Sequence, residues 1–376
     1  MPLHHDTLES INQHAPLKEK LMKAHESLKQ VHPFIARIAI AIYDTQTNIL
    51  KTFLDSNGDD ETPLKNYQTS LDNAPSLKAI LDKGLPRVIN NMLTFENGNH
   101  EHTIRIGRSG YAASYTLPMF DEGIFTGFIF FNSFETDVFN EKVLYELDLY
   151  GHIISLMVIK ELSVINVLNA AIKTTGHITH FRDPETGSHM DRMSRYSRLI
   201  ASKLASKYEL NDDYIEHIFM YSPLHDIGKV AIPDNILLKP GPLNNEEMEI
   251  MKTHSVKGRE MIDTLINNFT LNEIGSIDIL RNIAEFHHEA VNGSGYPTGK
   301  MRDEIPIEAR IVAVADVFDA LTSQRPYKAA WSNSDAIKKL QEMSGASLDQ
   351  DCVNALVSSM DKIEEIQKQF KEEYFG

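Results

Sequence analysis

Apolar positions along the chain follow two rhythms, and the first is mostly the two-residue period of strands. Leu17, Leu21 and Leu28 recur on one face of a polar stretch and predict a helix over Leu17–Val31. The period then shortens. Phe34–Tyr43 is rich in Ile and Ala, Asn48–Phe53 is a second apolar run, and Asp44–Thr47 between them predicts a hairpin turn. Ser76–Lys83 predicts a short helix stopped by Gly84, with Arg87–Ile89 following as a strand. Further strands are expected at Thr103–Ile106, Ala112–Met119 and Gly123–Asn132, the last two joined through Asp121-Glu122. From Asp137 the period lengthens into a long helix through Glu161 towards Ala171.

Strands with flanking helices describe an α+β domain of roughly 110–120 residues, a common domain size. After about residue 165 strand-like alternation nearly vanishes. Helical patterns dominate there, punctuated by Gly176, Pro184, Pro233, Pro240-Gly241-Pro242, the Gly293–Gly299 loop and Pro326. The expected fold is therefore multidomain: a helical segment over 1–32, an α+β domain over 33–160 that leaves through a long linker helix, and an all-α domain over 161–376. Ser347–Phe375 reads as one amphipathic helix with a charged end. On the linker helix, Leu144, Leu147, Ile154, Met157, Val158, Leu162 and Ile165 form an apolar stripe that suits a parallel homodimer or packing onto the chain's own domains.

Composition narrows the function. The 376 residues carry 37 Lys+Arg against 53 Asp+Glu, a formal charge of -16. The excess is spread, 13 basic to 20 acidic through residue 150 and 24 to 33 after it. Such a surface argues against duplex nucleic acid and anionic lipid as partners. One cysteine, Cys352, excludes a disulfide framework and a thiolate metal site. No signal peptide is evident at Met1–Asp6, and the apolar runs are too short to span a bilayer, so a cytoplasmic protein is expected.

Five of the sixteen histidines are read together with three carboxylates: His189, His225, His254, His287 and His288 with Glu185, Asp226 and Asp316. Imidazole and carboxylate without thiolate is the ligand set of iron, manganese or zinc in a hydrolytic site. His225 and Asp226 are adjacent, so one helix face cannot aim both at a single ion; a bridging carboxylate beside a terminal histidine would serve two. Lys229 lies at i+4 from His225 and i+3 from Asp226. Glu185 and His189 have i,i+4 spacing and could chelate together if helical.

The segments His225-Asp226-Ile227-Gly228-Lys229 and His287-His288-Glu289, with Gly293-Ser294-Gly295-Tyr296-Pro297, resemble the HD-GYP family of cyclic-dinucleotide phosphodiesterases. The likeness continues through Met251-Lys252-Thr253-His254, Ala315–Thr322 and Arg325-Pro326-Tyr327-Lys328, and covers about residues 176–345. Asn292 stands where that family commonly has Asp, and Lys300-Met301 also departs from its pattern. The element order over about residues 17–160 resembles a GAF sensor domain, which implies ligand sensing or dimerisation.

The HD-GYP resemblance implies that Asp226 bridges two metals, with His189, His225 and Asp316 completing one sphere and His254, His287 and His288 the other. A carboxylate at Glu185 implies a third metal, or a partner of a ligand histidine. The expected cofactor is two or three divalent ions per chain, iron first and manganese as the alternative. The implied reaction is hydrolysis of cyclic di-GMP to linear pGpG by a metal-activated hydroxide, with a second cleavage to GMP left open. The alternatives are 3′,3′-cyclic GMP-AMP as substrate, or a non-catalytic receptor for the dinucleotide. Lys229, with Asp226, is the expected catalytic residue. Tyr296 and Gly295 in the loop, Asp319, and the cations Arg325 and Lys328 are the expected substrate-binding residues. Beyond a second copy of the chain, diguanylate cyclase-type signalling proteins are the implied partners.

Overall fold

The structure, a computed structural model, describes residues 8–12, 15–57, 64, 67–92, 105–106, 108–178, 187–269, 277–324 and 330–371. Two compact units divide near Ser163/Val164.

The first unit is built on an antiparallel sheet of six strands among the described residues: β1 (Ile35–Asp44), β2 (Ile49–Asp55), β3 (Gln68–Ser70), β4 (Arg87–Ile89), β5 (Ala113–Asp121) and β6 (Ile124–Ser133). Their spatial order is β3-β2-β1-β6-β5-β4. Helix α1 (Leu17–Val31) has the predicted bounds, and α2 (Pro75–Lys83) ends where Gly84 turns to φ 60°. One face of the sheet packs Ala41, Leu50 and Phe128 on Leu77 and Ile80 of α2. Against the other, α1 and α3 (Glu141–Ile178) are joined by Ser27 to Tyr150 at 3.2 Å and His32 to Glu146 at 2.7 Å. The three-residue β3 carries too little apolar pattern to be read from sequence; it pairs Ile49–Lys51 of β2. Of the strand expected at Thr103–Ile106, residues 103 and 104 lie outside the described residues, and Arg105-Ile106 are helical.

The stripe expected to pair α3 with a second copy needs correction. Leu147, Ile154, Val158 and Ile165 are all fully buried within the chain. Each such side chain contributes about 1.5–3 kcal/mol by leaving water, so they are committed to their own fold. Among the described residues, the large apolar side chains that α3 leaves exposed are Tyr145, Leu149, Leu156 and Val167.

The second unit is helical: α4 (Gly187–Tyr208), α5 (Asp212–Tyr221), α6 (Asp234–Leu237), α7 (Asn245–Lys252), α8 (His254–Phe269), α9 (Ile277–Phe286), α10 (Ile307–Thr322), α11 (Asn333–Met343), α12 (Gln350–Val357) and α13 (Met360–Gln369). Its core joins Tyr196 and Ile200 of α4 to Ile311, Val314 and Phe318 of α10; Tyr196 meets Phe318 edge-on at 5.3 Å. The single helix expected over Ser347–Phe375 is two. Asp349 caps α12 by accepting from Cys352 N, and Ser358-Ser359 turn the chain before α13, the Ser359 hydroxyl donating to Ala355 O at 3.0 Å. The apolar period continues across that turn, which is why the break is silent in the sequence.

Candidate metal centre

Five places in the second unit deliver the donors. His189 sits in the first turn of α4, and His254 begins α8. His225 and Asp226 lie between a 3-10 turn (Ser222–Leu224) and another (Ile227–Ala231). His287 and His288 follow the last residue of α9, and Asp316 is on α10. These fall into two groups, Asp226 with His254, His287 and His288, and His189 with His225 and Asp316; within each, one donor atom per residue lies within 4.8 Å of the others.

The histidine tautomers follow from what the Nδ1 atoms face. Nδ1 of His225 donates to Ser222 O at 3.0 Å, that of His254 to Met251 O at 2.8 Å, and that of His287 to Ile283 O at 2.9 Å. A carbonyl only accepts, so Nδ1 carries the hydrogen and Nε2 presents its lone pair. His189 makes the same commitment to a carboxylate, Asp319 Oδ2, at 2.8 Å.

Asp226 joins the groups. Its Oδ2 is 3.0 Å from His225 Nε2, while its Oδ1 is 3.0 Å from His254 Nε2 and 3.6 Å from His287 Nε2. Nevertheless Asp226 Oδ1, His254 Nε2 and His287 Nε2 are buried atoms without a hydrogen bond. Lone pairs converging on one another in a buried place, each ring pinned from behind, fit divalent cations better than they fit a hydrogen-bond network. Asp316 Oδ1 stands 3.7 Å from His189 Nε2 and 4.0 Å from His225 Nε2.

The charges agree. Burial alone would push the Asp226 carboxyl up, but the Lys229 ammonium holds it well below the usual carboxylate range. Burial lowers His287, and burial with the neighbouring His287 ring lowers His288 well below an ordinary imidazole. Neutral imidazole beside ionised carboxylate is the state a metal needs.

Two glycines set the spacing. A Cβ on Gly228 would lie 1.9 Å from His254 O and 2.5 Å from Gly258 N, so only glycine lets the Asp226–Lys229 turn rest on α8. A Cβ on Gly295 would lie 2.2 Å from Ala290 N, so the loop crosses directly over the residues after His288. Tyr296 thereby brings its ring within 4.7 Å of the His288 ring. The Asn292 departure is conservative in effect: its Oδ1 accepts from Ser294 N and Oγ, as an Asp would.

Sequence reasoning missed the clasp under this loop. Glu289 Oε1 accepts from Thr298 N and Oγ1, both at 2.7 Å, and from Gly299 N at 3.1 Å. It also misassigned Asp319. That carboxylate is fully buried, and its oxygens accept from His189, Ser323 and both Nε and Nη2 of Arg192. It orients a histidine and has no surface to offer a substrate. The i,i+3 spacing of Asp316 and Asp319 was the available signal. Glu185, Arg325 and Lys328 lie outside the described residues.

Residues 185–352 match the family model described as HD domain. That segment is therefore similar to HD domains. The two donor groups, both inside that segment, are candidate metal-binding residues. The chain's similarity to curated proteins includes the cyclic di-GMP phosphodiesterase response regulator RpfG of Xanthomonas campestris, 44% identical over 50% of this chain and 47% of that protein. It also includes the cyclic di-GMP phosphodiesterase of Thermotoga maritima, 38% identical over 52% and 50%. The 3′3′-cGAMP-specific phosphodiesterase 2 of Vibrio cholerae is 36% identical over 59% and 40%. The chain thus spans about half the length of the curated relatives it matches, or less. Among solved structures, the GAF domain of an Acinetobacter phosphoenolpyruvate-protein phosphotransferase aligns with 42% of this chain and 91% of its own, at 11% identity and a TM-score of 0.33.

Proposed function

We propose that this protein hydrolyses a bacterial cyclic dinucleotide, cyclic di-GMP in the first instance, opening it to the linear dinucleotide pGpG. The observation that carries this reading is the division of seven donors into two groups with Asp226 facing both. Divalent ions held there, iron first and manganese as the alternative, would activate water and neutralise charge on the phosphodiester. His189, His225 and Asp316 would hold one and His254, His287 and His288 the other; Glu185 would serve a third.

The chain's own groups supply the rest. Among the described residues Lys229 Nζ is the ammonium paired with Asp226, and it is positioned to stabilise developing negative charge or to protonate the departing ribose oxygen. Tyr296 forms a wall beside His288 on which a base can stack. Gly295 keeps that wall close, and Arg325 and Lys328 would meet phosphate or a guanine edge.

Similarity to a 3′3′-cGAMP-specific enzyme favours a second substrate, 3′,3′-cyclic GMP-AMP, for the same site. The test is hydrolysis of each dinucleotide by metal-loaded protein, followed by chromatography. Turnover of neither, with tight binding of one, would establish a receptor instead.

We further propose a homodimer through the exposed side of α3. Tyr145, Leu149, Leu156 and Val167 are 66–75% exposed and lie 4, 7 and 11 residues apart, a straight stripe on a helix.

A further inference from the structure

Just past α13, Phe370 and Lys371 return to the first turns of α4. Ser188 Oγ donates to Lys371 O at 3.1 Å, Arg192 Nη1 donates to Phe370 O at 2.9 Å, and the Arg195 guanidinium lies 3.8 Å from the centre of the Phe370 ring. Positions 188, 192 and 195 share one helix face, beside His189.

The rest of the Arg192 fork is occupied. Its Nε donates to Asp319 Oδ1 at 2.7 Å, and its Nη2 to Asp319 Oδ2 at 2.9 Å and to Ser323 Oγ at 2.6 Å. Asp319 Oδ2 in turn receives His189 Nδ1. An unbroken polar chain therefore runs from the Phe370 carbonyl through Arg192 and Asp319 to the imidazole of His189. Every link except that carbonyl lies on α4, α10 or the residue after it.

We propose that Phe370–Lys371 is a clamp that sets the His189 ring, with Arg192 as the positioning residue that transmits it. This rests on the reading of His189 as a metal ligand. A guanidinium is planar and its donors are fixed relative to one another, so losing one acceptor in a buried place tilts the whole fork. Asp319, held by two of the same donors, tilts with it. The second group has no such dependence: His254 and His287 are pinned by carbonyls three and four residues earlier in their own segments. The clamp thus acts on one donor group and spares the other.

The test uses three full or nearly full proteins: wild type, Arg192→Lys, and a chain ending at Lys368. In metal-free protein, 15N spectra of the imidazoles, assigned for His189 with a His189→Asn control, should give the Nδ1–H tautomer in wild type. Both variants should shift towards a mixture with Nε2–H. Titration with Mn2+ should find one site weakened by about 10–100-fold and the other unchanged, the scale expected when the partner of a metal-bound histidine is lost. An unaltered His189 tautomer in both variants, or equal weakening of both sites, overturns the clamp. Absence of Mn2+ binding in wild type would instead overturn the metal reading, and the spectra would still decide the clamp.

Discussion

Lys229 Nζ stands 2.8 Å from Asp226 Oδ2, at the far end of the same tight turn. The pairing puts a compact cation against a carboxylate that faces both donor groups. Divalent ions held beside Asp226 would compete with the ammonium for that carboxylate and leave the lysine available to a phosphodiester. Lys229→Ala should therefore keep its metals and KM while kcat falls by roughly 10²-fold or more. Single-turnover rates on metal-analysed protein would check this; near wild-type turnover would make the lysine structural.

Asp226→Ala should remove more than one metal per chain, because the two oxygens serve different groups. Elemental analysis after anaerobic preparation is the measurement. Loss of a single equivalent would confine Asp226 to one group. Glu185→Ala should cost at most one equivalent.

Glu289 holds the loop by accepting from Thr298 N and Oγ1 and from Gly299 N. Glu289→Ala should raise KM by about tenfold, the effect of losing roughly 1.4 kcal/mol of substrate contact, with kcat nearly constant. Hydrogen exchange at the Thr298 and Gly299 amides should accelerate in the same variant. Protected amides with unchanged KM would show the clasp to be dispensable.

His25 gives the first unit a pH dependence. Burial, reinforced by Lys29 and opposed by the hydrogen bond to Ile35 O, brings its ring down to about 4 from 6.5. The unfolded chain binds this proton first as pH falls. The contribution is therefore complete above pH 6.5 and is lost as pH drops towards 4, by up to about 3 kcal/mol. Calorimetric melting of the His25→Gln variant should vary less with pH across that window than wild type. Parallel curves would rule out the buried ring as the source.

The exposed stripe on α3 predicts two copies per particle in light scattering at micromolar concentration. Leu149→Lys with Leu156→Lys should return the mass of one chain. A monomeric wild type would end the dimer proposal, and a dimeric double variant would move the interface elsewhere.

Periodicity carried the α+β and all-α halves well wherever one face of an element is buried, as in α1, β1 and β6. It failed for β3, whose three residues lie at a sheet edge, and at Ser358-Ser359, where burial continues through a turn. The donor histidines were legible because their chemistry is unusual in a cluster. Which of them share a group was supplied by resemblance, since elements distant in sequence converge there. Residues that act through others were the least legible. The sequence puts Asp319 among the substrate contacts because nothing in it tells a buried carboxylate from an exposed one, and it gives no signal for Arg192, which is buried beside it. On α3 the period shows an apolar stripe but not what covers it, and burial favours packing onto the chain's own domains.

Gly228 gives the centre a mechanical tolerance smaller than a methyl group. A side chain there would act as a wedge, prying the Asp226–Lys229 turn off the helix that begins at His254. No donor atom would change, yet both groups would lose the carboxylate common to them. A mutational survey limited to charged and aromatic residues would pass over this position. Gly228→Ala is accordingly a way to silence the site while leaving its entire chemical inventory in place.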